Sequence, residues 1–292
     1  MTISHVLPDA VTEQVVDTVR YPLDEPHSDQ WTAVVDRVRQ QLRTVGCSVL
    51  SDFVRPELQD TLRQEGEAVA PSAYAHVETV NVYNTDPDPT LPEDHPARTT
   101  VQRGNAFVAR DLIPADSVVQ RLYTSPSFQR FVAACFGLPE VHPLADPLSG
   151  LCLNTVAPGR SHPWHFDTNE FTVSMLTRAP EGGGVFEYCP GIRSASAENL
   201  DDVRGVLAGD RRLVRRLELR PGDLQLFLGR YSLHRVTPVE GETARHSAIF
   251  AYSERPGVVG TLARTRQLFG RVTAAHTGAA AARAVRVDEL MD

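Results

Sequence analysis

The chain has 292 residues, 41% of them hydrophobic, which is enough for one large β domain with added helices. Its net charge of -8 excludes the basic face that a nucleic-acid partner needs; all 29 positive charges are arginine, a composition that carries no functional meaning by itself. No apolar run approaches the roughly 20 residues that span a bilayer, and Met1 to His5 lack the basic and apolar regions of a signal peptide, so a cytoplasmic protein without a membrane partner is expected.

Along the chain, residues 1–30 are polar, and Val11 to Arg20 fits a short helix or a strand equally well. From Asp29 the pattern turns helical: Trp31, Val34, Val35, Val38 and Leu42 recur at spacings of three and four and share a face, and Gly46 ends the helix. Cys47 to Leu50 reads as a strand and Pro56 to Ala68 as a second helix, both dressing the outside of the core. Residues 84–99 are rich in Asp and Pro and read as a surface loop, either disordered or a lid. Ser117 to Tyr123 and Ser127 to Phe136 read as helices, with Gly137-Leu138-Pro139 as the stop.

The core sheets are expected over about Val141 to Tyr252. Leu151 to Val156 is a strand, and Pro158-Gly159 turns it towards a strand holding His165. Phe171 to Leu176, Phe186 to Tyr188, Leu224 to Leu228, the segment around His234 and Arg245 to Tyr252 are further strands. Ala195 to Arg216 reads as a charged helical insertion, and Ala279 to Val287 as a peripheral helix. Cys47, Cys135, Cys152 and Cys189 lack C-x-x-C spacing and read as buried free thiols.

Within the His162 to Glu170 stretch, His165 and Asp167 stand two residues apart. On a strand, such residues point the same way, so an imidazole and a carboxylate project together. Taken alone the pair reads first as a surface contact or a helix N-cap, and only with a third ligand as a metal site. Downstream, His234 offers a second imidazole, and two His with one carboxylate can hold Fe(II) with positions left open. Arg245 and Ser247 share a face of the last strand, and a guanidinium with a hydroxyl beside it suits a carboxylate.

His165-x-Asp167, His234 and Arg245-x-Ser247 together resemble the signature of the Fe(II)/2-oxoglutarate-dependent oxygenases. The wording around them, Trp-His-Phe-Asp-Thr-Asn-Glu, Gly-Gly-Val-Phe-Glu-Tyr and Gly-Arg-Tyr-Ser-Leu-His-Arg-Val, resembles a small bacterial group of free-amino-acid hydroxylases and radical halogenases. The match runs from about Asp146 to Tyr252, with a fainter stretch at Arg264 to Arg271. It implies a mainly β fold with peripheral helices, a double-stranded β-helix (jelly-roll, cupin-like) core over residues 141–255. A mostly helical part, 1–140, precedes that core, and a helical tail, 256–292, follows it in a single oxygenase domain.

The resemblance further implies that His165, Asp167 and His234 bind Fe(II) and carry the catalysis, with O2 and 2-oxoglutarate as co-substrates. Arg245 and Ser247 would hold 2-oxoglutarate, with Asn154 reaching its metal-bound end unless it bonds to backbone instead. Arg103 and His162 would contact the substrate, and the neutral Thr168 would stand near it; strand alternation, not the resemblance, sets Ile249 and Ala251 on the face of Arg245 and Ser247 as an apolar wall of the pocket, which suits a mainly apolar side chain. The expected reaction is hydroxylation of an unactivated C–H bond of a free amino acid, with desaturation or cyclisation in a natural-product pathway as alternatives. In the resembling halogenases the carboxylate position is Gly or Ala, which leaves room for chloride; Asp167 stands there in this chain. The expected partner is therefore a small molecule, and association as a homodimer stays open. A zinc hydrolase and a non-catalytic jelly-roll binding protein are the readings from other classes.

Overall fold

The computed structural model describes residues 10–278 and 290–291. Two antiparallel sheets form the core. The larger has seven strands in the order Cys47–Leu50, Leu224–Phe227, Thr172–Arg178, Arg245–Phe250, Leu151–Val156, Ala106–Val108 and Tyr74–Ala75. The smaller has four: Arg215–Leu217, Phe186–Cys189, Leu233–Val236 and His162–His165.

Alternation along the strands gives the large sheet two faces with different work. On one face Leu153, Val173, Met175, Leu226, Ala248 and Phe250 bury against helices. The helix Asp29–Val45 supplies Val34, Val35, Val38 and Leu42 to that layer, each worth roughly 1.5–3 kcal/mol when buried. Ser28 Oγ caps its start by accepting the Trp31 N–H at 3.2 Å, and Gly46 at φ 66° ends it, a conformation that suits glycine. The helix Pro126–Phe136 joins the same layer, capped by Ser125 and ended by Gly137.

The opposite face turns to the small sheet. Phe227 meets Phe186 edge-on at 5.3 Å and His234 at 4.8 Å between ring centroids. With Cys47, Tyr188 and Val236 these rings close the space between the sheets at one end. Arg245, Ser247 and Ile249 share this inward face, and Asn154 stands opposite Ser247 on the neighbouring strand.

Several sequence expectations change here. Cys47–Leu50 does not lie outside the sheets; it pairs with Leu224–Phe227 and forms an edge of the larger one. Tyr74–Ala75 and Ala106–Val108 also join that sheet, so the part before residue 141 supplies three of its strands. Such two- to four-residue strands are too short to show a period. Between 195 and 216 only Leu200–Leu207 is helical, and Arg215–Leu217 is a strand paired with Phe186–Tyr188. Glu187 explains this: its buried carboxylate takes Arg235 at 2.8 Å together with Arg211, which draws the charged segment onto the sheet. Val11 to Arg20 divides into the helix Ala10–Val15 and a β-bridge from Val16 to Val54.

The 84–99 loop is tied down, by Arg98 Nη1 to the Leu91 carbonyl at 2.9 Å and by an Arg204–Asp94 pair at 3.3 Å. The expected helix over Ala279 to Val287 lies outside the described residues. All four cysteines are buried and free, as their spacing suggested. Among the described residues no helix is long and apolar enough to cross a membrane.

Candidate metal centre and its pocket

His165 ends its strand, and His234 sits directly across from it on Leu233–Val236. Their rings lie 4.1 Å apart between centroids. Asp167 comes two residues after His165, beyond the end of the strand, so the strand alternation does not place it. Its backbone N–H donates to the Gly229 carbonyl at 3.2 Å, and the Thr172 hydroxyl donates to Oδ2 at 2.6 Å. Oδ1 then stands 3.7 Å from His165 Nε2 and 3.5 Å from His234 Nε2. One ligand atom from each of the three residues lies within 4.8 Å of the others.

The groups behind these three side chains are those that metal ligands need. His165 Nδ1 bonds to the Pro163 carbonyl at 2.8 Å and His234 Nδ1 to the Ser232 carbonyl at 2.9 Å. A carbonyl can only accept, so each Nδ1 carries the proton and each Nε2 presents a lone pair. Burial, reinforced by the neighbouring His234, lowers the His165 pKa to about 3, so the ring is neutral at ordinary pH. Burial pushes the Asp167 carboxyl up, but His234, His165 and Thr172 outweigh it and hold it well below the usual range. Two imidazoles, each with its Nε2 lone pair turned inward, and one carboxylate, facing one point, fit Fe(II).

Arg245 is buried on the inward face, and its Nη1 donates to Ser247 Oγ. Among the described residues no carboxylate pairs with it. Burial lowers its pKa to about 10, which still leaves it charged. A buried guanidinium without an anion is costly, and a bound carboxylate such as the far end of 2-oxoglutarate would relieve it. Asn154 faces Ser247, but its Oδ1 accepts from Asn105 Nδ2 at 2.8 Å. The partner is therefore a side chain that the sequence reading did not consider.

His162 stacks on His165 at 3.9 Å and meets the edge of Phe107 at 6.5 Å. Burial, with the fields of His165 and Arg103, holds its pKa well below the usual value. Arg103 is 4% exposed and pairs through Nη2 with Glu78 Oε2 at 2.6 Å. Ile249 packs on the cluster of Phe107, Cys152 and Phe269, so this wall is apolar. Ala251 follows the strand, held by its N–H to the Gly150 carbonyl at 2.7 Å. Thr168 offers its carbonyl to Arg230 Nη1 at 3.5 Å, the limit of a hydrogen bond.

Residues 30–264 match the protein family described as Halogenase D. The chain belongs to the halogenase D family. A prolyl hydroxylase from Trichoplax adhaerens, solved with a peptide fragment of the hypoxia inducible factor oxygen degradation domain, is 14% identical. The alignment covers 83% of this chain and 97% of that one, with a TM-score of 0.50. A 2OG-Fe(II) oxygenase family oxidoreductase from Burkholderia pseudomallei is 18% identical over 76% of this chain and 92% of its own, at 0.48. A prolyl-4-hydroxylase from Pseudomonas putida is 16% identical over 74% and 97%, at 0.45. No curated protein matches the chain.

The double-stranded β-helix expected from the motifs is the fold the chain adopts, and the family match agrees with the halogenase-like group they resemble. Within this halogenase D member, Gly229 and Thr172, which bond to Asp167, and Glu78, which pairs with Arg103, are contacts that the sequence reading passed over. Gly229 could have been noticed as a glycine at the end of a buried strand; Glu78, one of 37 acidic residues, has no such signal.

Proposed function

We propose that this chain is an Fe(II)- and 2-oxoglutarate-dependent oxygenase that hydroxylates a free amino acid with a mainly apolar side chain. The observation that carries the reading is Asp167: a carboxylate, fastened by Gly229 and Thr172, completes the His165–His234 pair. Fe(II) bound there supplies, with 2-oxoglutarate and O2, oxidation of an unactivated C–H bond, with succinate and CO2 as co-products. Arg245 fastens the far carboxylate of 2-oxoglutarate, and the Ser247 hydroxyl joins it. Asn154, its oxygen taken by Asn105, offers its amide N–H2 towards the near end. His165 and His234 each hold a proton on Nδ1, bonded to a backbone carbonyl and turned away from the metal.

Arg103 and His162 would take the substrate carboxylate, and Phe107, which meets His162, with Ile249 packed on its cluster, would line the wall beyond. Among the described residues that cluster on that wall (Phe107, Cys152, Ile249 and Phe269) there is no acid for a cationic side chain, and burying an unpaired ammonium is costly. A zinc hydrolase would have no use for Arg245. The test is a succinate-release screen over free amino acids with iron, ascorbate and 2-oxoglutarate, with mass spectrometry of the products. Succinate formed with valine, leucine or isoleucine, and a product heavier by one oxygen atom, are expected. Turnover with lysine or arginine and none with the aliphatic residues would overturn the apolar pocket.

A further inference from the structure

Arg193 is among the largest side chains that the fold buries completely. It lies in the loop between the strand Phe186–Cys189 and the helix Leu200–Leu207. Its guanidinium carbon sits 3.8 Å from the centre of the Phe166 ring, a cation–π contact. Tyr83 stands beside both, stacked on Phe166 at 5.6 Å and 5.7 Å from the guanidinium carbon. Phe166 immediately precedes Asp167. Its N–H donates to the Val82 carbonyl at 2.8 Å, and its carbonyl accepts from Asn84 Nδ2 at 3.0 Å.

The same guanidinium reaches the second segment on which Asp167 rests. Arg193 Nε donates to the Arg230 carbonyl at 2.6 Å, and the Arg193 backbone N–H to the Tyr231 carbonyl at 3.3 Å. Arg230 follows Gly229, whose carbonyl takes the Asp167 N–H. One side chain thus joins the residue before the carboxylate to the segment that holds its backbone. A third segment sets the guanidinium. Nη1 donates to the two Glu198 oxygens at 3.3 and 3.2 Å and to the Met291 carbonyl at 3.0 Å. Met291 returns its own N–H to Glu198 Oε1 and packs on the cluster that holds Phe166 and Tyr83.

Stability alone does not ask for this arrangement. Apolar side chains of similar volume commonly match a buried ion pair. Arg193 Nη2 is also buried with no partner among the described residues, which is a cost. What a guanidinium supplies and an apolar side chain cannot is direction: a flat face for Phe166, and donors fixed in one plane for Arg230, Glu198 and Met291. Asp167 needs that direction, because it lies beyond the end of its strand and no ladder bond orients it.

We infer that Arg193 is a positioning residue for the Asp167 carboxylate, set in place by Glu198 and by the backbone of Met291. The affinity of the metal centre then depends on a contact made 98 positions further along the chain than Arg193. This rests on the metal-centre reading for what Asp167 does, and adds to it the side chain that places Asp167. If Phe166 shifts against Gly229, the carboxylate leaves the point that His165 and His234 face.

The test uses the full chain freed of metal. Mn(II) binding is followed by electron paramagnetic resonance, and urea unfolding is measured on the same metal-free samples. Arg193→Met keeps the stem and removes the donors; it should weaken Mn(II) roughly 10- to 100-fold, as when groups behind a metal ligand are lost. Arg193→Lys keeps a charge for Glu198 but has neither the flat face nor the planar fork. It should unfold at nearly the parent's urea midpoint and still bind Mn(II) about tenfold more weakly. Met291→Pro removes one N–H and leaves the carbonyl, and should cost about fivefold, the worth of one neutral hydrogen bond. In the Arg193→Met background it should cost nothing further, because its path to the metal runs through that guanidinium. Val35→Ala, in the outer helical layer, is the control: a lower urea midpoint with Mn(II) affinity unchanged.

Mn(II) affinity unchanged in Arg193→Lys would overturn the inference, whether or not Arg193→Met folds. So would losses of affinity that follow the urea midpoint across all variants, Val35→Ala included, or a full further loss from Met291→Pro in the Arg193→Met background. Failure of the unaltered protein to bind Mn(II) is a different result, which overturns the metal-centre reading and this inference with it.

Discussion

Gly229 lies flat against the carboxylate of Asp167: its carbonyl accepts the Asp167 N–H at 3.2 Å, and a β-carbon at 229 would overlap Oδ2. The acid can reach the two histidines only because this position has no side chain. Gly229→Ala should therefore push the carboxylate off the site without unfolding the sheet. We expect iron affinity to fall roughly 10- to 100-fold, as when groups behind a metal ligand are lost. Asp167→Ala, His165→Ala and His234→Ala should abolish turnover outright. Metal content after dialysis, alongside circular dichroism, checks this. Full iron occupancy in Gly229→Ala would mean the carboxylate is not a ligand.

Arg245 is expected to set the demand for 2-oxoglutarate. Replacing it with Gln keeps the bulk and removes the charge. A charge-assisted hydrogen bond contributes about 1.5–3 kcal/mol, so Arg245→Gln should raise the 2-oxoglutarate concentration needed about tenfold or more. Ser247→Ala should have a smaller effect of the same sign, since its hydroxyl is the neutral neighbour of Arg245. The titration of succinate release against 2-oxoglutarate reads both. An unchanged requirement in Arg245→Gln moves the anchor elsewhere.

Chloride should not enter the product. The family carries the description Halogenase D, but the position that chloride needs is filled here by Asp167. Assays in sodium chloride and in sodium acetate should give the same hydroxylated product by mass spectrometry. A chlorinated product from the unaltered protein would show that Asp167 leaves the metal during turnover.

His246 should give the protein an acid-sensitive element of stability away from the pocket. Its ring is buried on the outer face of the sheet, close against Gly66, and Nδ1 has no partner among the described residues. Burial, aided by the Arg178 charge, lowers its pKa to about 4 from the usual 6.5. Between those values the unfolded chain binds the proton and the folded chain does not, so stability falls as pH falls from 6.5 to 4. Above 6.5 the contribution is complete. Up to about 3 kcal/mol is at stake by pH 4. Urea unfolding of the metal-free protein at pH 7 and pH 5, compared with His246→Leu, isolates it. The variant should lose less stability on acidification than the parent; an equal loss would remove His246 from the account.

The sequence by itself determined the parts that depend on spacing. The amphipathic period from Asp29 to Leu42 specified a helix and its buried face. The alternation of Arg245, Ser247 and Ile249 specified one inward face, and the identities of His165, Asp167 and His234 specified a ligand set. Tertiary structure alone decided how these meet. The strand ends at His165, so its alternation does not reach Asp167; that residue is placed by Gly229 and Thr172, 62 and five positions along the chain. Cys47–Leu50 becomes a core strand because Leu224–Phe227 offers an open edge, not because four residues show a period. Glu78 and Arg103 meet across a pair of three-residue strands that stand far apart in the sequence. The physical reason is the same in each case. Periodicity records which way a side chain points within its own element, whereas a site is made where different elements pack, and the contacts that seat one against another are spread over distant residues whose pairing leaves no mark in local spacing.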